Sequence, residues 1–155
     1  MSALAFRDAD LAELPQIVAL LADDALGAGR ENAALPLAQG YLDAFAAIAA
    51  SPDQRLVVAV EAGRLVGTLQ LSFIPGISKM GAWRGQIEGV RVIADRRDAG
   101  LGARLIDWAV AQCRARGCRT VQLTTDKSRL DAHRFYERLG FKPTHLGYKL
   151  DLAQP

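Results

Sequence analysis

Cysteine and histidine are scarce: the chain has Cys113, Cys118, His133 and His145 and no others of either type. No Cys or His cluster stands at metal-ligand spacing, so no metal is expected, and two cysteines cannot build a disulfide framework. Charge of one sign is lacking too. Nineteen Lys and Arg face seventeen Asp and Glu, a formal net charge of +2, so composition calls for neither nucleic acid nor an anionic membrane as partner. No run reaches the roughly 18 apolar residues of a membrane span, and Met1 to Asp8 has no basic stretch ahead of an apolar one. A soluble, cytoplasmic protein is the expectation. Low-complexity tracts, solenoid-length repeats and excess Gly or Pro are also missing, which excludes repeat and disordered architectures.

What is present suits one folded unit. Half of the 155 residues are hydrophobic, and a chain of this length buries about 70% of its unfolded surface, so residues 1–155 read as a single domain. Asp10 with Glu13 resembles a helix-start pair, followed by an apolar face of Leu11, Leu14, Val18 and Leu21. Residues 23–34 are small and polar and suit a connection to a second helix carrying Leu37, Tyr41, Phe45 and Ile48, ended by Ser51-Pro52. Arg55 to Glu61 and Leu65 to Ile74 flank Ala62-Gly63 as an antiparallel hairpin. Then come a strand over Gln86 to Ile93, a helix with Leu101, Leu105, Ala109 and Cys113 on one stripe, and a strand over Cys118 to Thr125. A helix over Asp131 to Leu139 and a last strand over His145 to Leu152 complete the order βααβββαβαβ. The expected fold is α/β: a mixed, mostly antiparallel central sheet with helices on both faces.

The chemistry concentrates where the Gln86 to Ile93 strand hands over to a helix, at Arg97-Asp98-Ala99-Gly100-Leu101-Gly102-Ala103. Glycines let a backbone approach a ligand there, and the first helical N–H groups with the helix dipole favour an anion such as pyrophosphate. Arg96, Arg97 and Arg104 add positive charge. A dinucleotide fingerprint does not fit, because Arg104 or Leu105 stands where its third Gly belongs.

The pattern Arg97-x-x-Gly100-x-Gly102 after the strand Ile87 to Val92 resembles motif A of the GNAT N-acetyltransferases. Ala132-x-x-Phe135-Tyr136-Glu137-Arg138-Leu139-Gly140-Phe141 resembles motif B of the same superfamily, in the same order. Within it, Asp131 to Tyr136 resembles the branch that holds aminoalkylphosphonate and similar small-amine acetyltransferases. Two positions depart from the common pattern: Arg129 stands where many members carry Asn, and Ala94 where many carry Pro.

The resemblance implies an enzyme that uses acetyl-CoA as cosubstrate, wedged between two splayed strands. Backbone groups of Val90, Arg91 and Val92 would hold the pantetheine arm, and N–H groups from Arg97 through Asp98, Ala99, Gly100, Leu101, Gly102 and Ala103 the pyrophosphate. Transfer needs a neutral amine, and an alkylamine with a Lys-like pKa near about 10.4 is mostly protonated at neutral pH. Glu88 is the candidate general base, expected to face the same side of the sheet as Val90 by two-residue alternation. Asp126 and a water chain are the alternatives. Tyr136 matches the position where the family often places the group that protonates the departing thiolate. The expected partner is a small-molecule amine, with a homodimer as family habit. Acetylation of protein Lys or an N-terminus, and a non-catalytic acyl-CoA sensor, are the competing readings.

Overall fold

The computed structural model describes residues 3–153. Five strands form one sheet in the order β1 (Leu4–Asp8), β2 (Gln54–Glu61), β3 (Arg64–Ile74), β4 (Arg84–Val92) and β5 (Thr120–Leu123). The first three pairings are antiparallel and β4 with β5 is parallel. Ala62 and Gly63 both have positive φ (52° and 75°), the geometry that lets a two-residue turn follow the twist of a hairpin.

Helices α1 (Leu14–Ala22), α2 (Gln39–Ala50), α3 (Leu101–Ala115) and α4 (Leu130–Arg138) complete the fold. Pro15 lies in the first turn of α1, where its missing N–H is not needed. Asp10 N–H donates to the Glu13 carboxylate at 2.8 Å just before it. The apolar stripe of α3, Leu101, Leu105, Ile106, Ala109 and Cys113, packs on the sheet face that carries Val57, Ala59, Leu69, Leu71, Phe73 and Ile87. On the opposite face Ile17 and Leu20 of α1 cover Val58 and Leu65. The expected layering, helices on both faces of a mostly antiparallel sheet, is therefore present. α2 lies more loosely: none of its residues is fully buried. Between β3 and β4, Lys79 and Met80 adopt left-handed backbone angles, so Ser78 to Gly81 is a turn rather than a true helix.

The final strand expected over His145 to Leu152 does not form. Residues 141–150 have no regular secondary structure, and Leu146, Tyr148, Leu150 and Leu152 are 76–90% exposed. A strand needs a partner edge as well as alternation, and this segment has none within its own chain among the described residues. β4 begins two residues earlier than the pattern suggested, and β5 is shorter than Cys118 to Thr125.

The contact between α3 and β4 leaves no spare volume at Gly85, where a Cβ would stand 2.2 Å from Cys113 Sγ. Gly85→Ala is expected to lower unfolding free energy by about 1–3 kcal/mol, the usual cost of overpacking. Adding Cys113→Ala should recover most of it in a denaturant titration; no loss in the single variant would mean the contact is not tight.

Candidate active site

The register between β3 and β4 locates the site. Gln70 lies opposite Glu88 and Thr68 opposite Arg91, so two residues of β3 span three of β4. The extra residue makes a β-bulge, and Gly89 sits there with φ +61°, a conformation other residues avoid. Residues paired across a ladder share a face, so Glu88 and Arg91 lie on the α1 face. Val90 and Val92 turn to the opposite face and pack on the α3 core. The expected alternation that put Glu88 and Val90 on one side is therefore wrong, because the bulge consumes one residue of the period.

The bulge also stands where the sheet opens. β5 pairs with β4 only from Arg84↔Thr120 to Ile87↔Leu123. From Glu88 to Val92 the β5-side edge of β4 has no strand partner among the described residues, so its main-chain groups on that side can meet a ligand. At the far end of the gap comes the Arg97 to Ala103 turn. Asp98 and Gly100 take left-handed φ values of +62° and +77°. Gly100 is the N-cap of α3 with no side-chain cap bond, so the N–H groups of the first turn, Leu101, Gly102 and Ala103, are left for an external acceptor.

The two glycines have different physical reasons. A Cβ at Gly100 would touch nothing within 4 Å, so the backbone angle alone demands glycine. A Cβ at Gly102 would come 3.3 Å from the Phe135 ring, so helix α4 dictates that one. The arginines divide as well. Arg96 is held by Glu61 at 2.6 Å and Arg97 by Asp23 at 3.1 Å, with Arg97 Nε also donating to the Val92 carbonyl at 3.3 Å.

Across the gap, Tyr136 of α4 is half-buried between Phe135 and Phe141, with ring centroids 5.1 and 5.9 Å away. Burial pushes its phenol above the ordinary value, against the pull of Arg129 and Arg91, so it stays protonated through the neutral range. Glu88 is exposed and has no ion pair among the described residues. Asp126 is committed locally: its carboxylate accepts from the Ser128 hydroxyl at 2.6 Å and the Ser128 N–H at 2.9 Å, which hold its pKa down. His133 Nε2 lies 2.9 Å from the Asp126 carbonyl oxygen. Cys113, buried under the sheet, has its thiol pushed up to about 11 by that burial, which removes it as a nucleophile.

On the α1 face the structure assembles a cluster that spacing in sequence did not show. Arg91, 10% exposed, pairs with Asp24 at 3.1 Å and donates to the Val90 carbonyl at 2.8 Å, yet its Nε has no hydrogen-bond partner. Arg129 reaches the same carboxylate at 3.9 Å, and Arg30 is close enough to act on both Asp24 and Arg91. Burial pushes the Asp24 carboxyl up, but the Gly27 N–H and the three guanidiniums outweigh it and hold it low. Gly27 is fixed by close packing, since a Cβ there would stand 1.9 Å from the Leu21 carbonyl oxygen and 2.9 Å from Asp24 Oδ1. Three cations around one anion leave local positive charge next to Tyr136. The four residues come from three distant segments, which no spacing in the sequence joins.

Comparison with known proteins decides the family. The model of the "Acetyltransferase (GNAT) family" matches residues 18–141. The chain belongs to the GNAT acetyltransferase family. It is 32% identical to an aminoalkylphosphonate N-acetyltransferase of Salmonella typhimurium over 110 residues, 71% of each chain. It is 38% identical to a glucosamine 6-phosphate N-acetyltransferase of Trypanosoma brucei brucei over 90 residues, 58% of this chain and 59% of that one. Among solved structures, a protein of Bacillus halodurans described as a transcriptional regulator superposes with TM-score 0.93 at 43% identity, covering 97% of this chain and 100% of the other. As a GNAT protein the chain is an acyltransferase. Among the described residues no group of three or more His, Cys, Asp or Glu could hold a metal ion, and no helix is long and apolar enough to cross a membrane.

Gly89→Ala tests the bulge. An L side chain at this φ should cost about 1–2 kcal/mol of stability and, by straightening β4, lower turnover at least tenfold. Wild-type stability and rate would show that the strand does not need the bulge.

Proposed function

We propose that this GNAT enzyme transfers the acetyl group of acetyl-CoA to the primary amine of a small molecule that also carries an acidic group. The observation that carries the reading is the gap between β4 and β5, which runs from the uncapped N-terminus of α3 past the open edge at Val90 and Val92 to Tyr136. A long, thin cosubstrate with a phosphate end and a thioester end fits that gap: the Leu101 to Ala103 N–H groups meet the phosphates and the β4 edge meets the arm.

The acidic group of the acceptor is addressed by Arg91 and Arg129, with Arg30 beside them. Arginine matches phosphate and carboxylate oxygens with paired donors, and here three guanidiniums share the single Asp24 carboxylate. The names of the two curated relatives support this, since an aminoalkylphosphonate and glucosamine 6-phosphate each join an amine to a phosphorus oxyanion. Glu88 shares the sheet face of Arg91, so an acceptor anchored by the arginines presents its ammonium on the side where that carboxylate can take the proton, directly or through water. The neutral amine attacks the thioester carbonyl, and the phenol of Tyr136 donates its proton to the sulfur as the C–S bond breaks. No acyl-enzyme is required, in keeping with the buried, protonated Cys113.

The competing reading is an acyl-CoA sensor that binds without turnover, favoured by the description of the Bacillus halodurans structure. Thiol release from acetyl-CoA separates the two when a panel of small amines is supplied as acidic and neutral pairs. The proposal predicts release, with kcat/KM at least tenfold higher for the phosphonate or phosphate member of each pair. Tyr136→Phe should lower kcat about a hundredfold without changing acetyl-CoA affinity. Binding without release for any amine would establish the sensor reading, and equal rates within each pair would remove the arginines from acceptor recognition.

A further inference from the structure

The α1 face of the sheet is divided. Ile17 and Leu20 of α1 cover Val58 and Leu65, and α2 lies against β2. Beyond them the face changes character. Ser72 of β3, Gln86 of β4 and Gln122 of β5 form one row across three strands, and Gln70 and Glu88 form the next. Leu71, Ile87 and Leu123, which alternate with them, pack in the α3 core, so these five side chains share the opposite face. Glu88 and Gln122 are exposed and Gln70, Ser72 and Gln86 half-buried, although β3 and β4 are interior strands. With no apolar side chain on either row, this half of the face offers nothing for a helix to pack on.

The row is also ordered. Gln122 Nε2 donates to Gln86 Oε1 at 2.7 Å. That bond leaves the Gln86 NH2 and the Gln122 oxygen for a third molecule, beside the Ser72 hydroxyl. Neighbouring strands lie about 4.8 Å apart, so the row is about 10 Å wide, the scale of a small ring with its substituents. Neutral donors and acceptors set side by side suit hydroxyl groups, which both give and take hydrogen bonds. Along β4 the order is Gln86, Glu88, then Arg91 past the bulge, with about 7 Å between the first two. The candidate base therefore stands between the amide row and the arginine cluster.

We infer that Ser72, Gln86 and Gln122 determine acceptor specificity by binding hydroxyl groups that lie on the far side of the reacting amine from its acidic group. The acceptor class is then an amino sugar or amino polyol that carries a phosphate, rather than a plain aminoalkyl acid. This rests on the proposed seat of the acidic group at Arg91 and Arg129. An acceptor without hydroxyls leaves the oriented amides unmatched, and a site built for hydrogen bonds discriminates against such an analogue.

Four amines test the inference: glucosamine 6-phosphate, glucosamine, and the same ring without hydroxyls as (4-aminocyclohexyl)methyl phosphate and cyclohexylamine. In thiol release from acetyl-CoA, kcat/KM should be at least tenfold higher for each hydroxylated amine than for its counterpart. Gln86→Leu and Gln122→Ala, each folded by circular dichroism, should each shrink that ratio at least threefold, through KM. Comparing ratios between wild type and variant cancels the different basicity of the amines. Without any turnover, the side-chain NH2 signals of Gln86 and Gln122 in wild-type protein with CoA should shift on adding glucosamine 6-phosphate and stay in place with (4-aminocyclohexyl)methyl phosphate. A ratio that survives both substitutions would overturn the inference, as would amide signals that ignore saturating glucosamine 6-phosphate. Equal rates with and without phosphate, alongside a hydroxyl preference that the variants abolish, would instead overturn the arginine reading and uphold the amide row.

Discussion

One extra residue in β4 decides how everything around it is placed. Without Gly89 the strand would keep its two-residue alternation, and its pairing with β5 could continue beyond Ile87. With it, the chain bends where the parallel pair ends, and the remaining edge faces a gap instead of a strand. The side chains are re-aimed at the same point. Val90 and Val92 go to the α3 core, anchoring the backbone that lines the gap, while Glu88 and Arg91 go to the α1 face. A single left-handed glycine thus separates the open edge of the gap from the cluster of charged side chains on the α1 face.

The gap and the α1-face cluster rest on unrelated local physics. At one end Gly100 sits in a left-handed cap that leaves the α3 N–H groups unbonded, and Gly102 lets Phe135 pack against the helix. That packing ties α4, and Tyr136 beside Phe135, to the helix that would hold the phosphates. On the α1 face Gly27 permits the close turn in which Asp24 is capped, and the carboxylate then gathers Arg91, Arg129 and Arg30. One negative charge orders three positive ones, leaving a surplus that suits an anionic ligand far better than a simple cationic amine.

Much of this was legible in the sequence. The Gly100-x-Gly102 turn and the Ala132 to Phe141 segment identify the family and the gap's two walls, because both rest on local backbone and packing rules. The stripe of α3 and the β2–β3 hairpin were equally plain. The bulge was not, since a glycine in a strand does not say whether it adds a residue or simply lacks a side chain. The arginine cluster was hidden because residues 24, 30, 91 and 129 meet only through tertiary structure. The C-terminal segment misled in a different way: its alternation is real, but periodicity describes a strand's faces and is silent about whose edge it joins.

The central claim is that the opened edge of β4 and the uncapped start of α3 form one continuous cosubstrate surface. An amide NMR titration with CoA tests it directly. The account predicts that the amides of Gly89 to Val92 and Leu101 to Ala103 respond together, with a single affinity. Saturable binding that leaves both segments unmoved would contradict it.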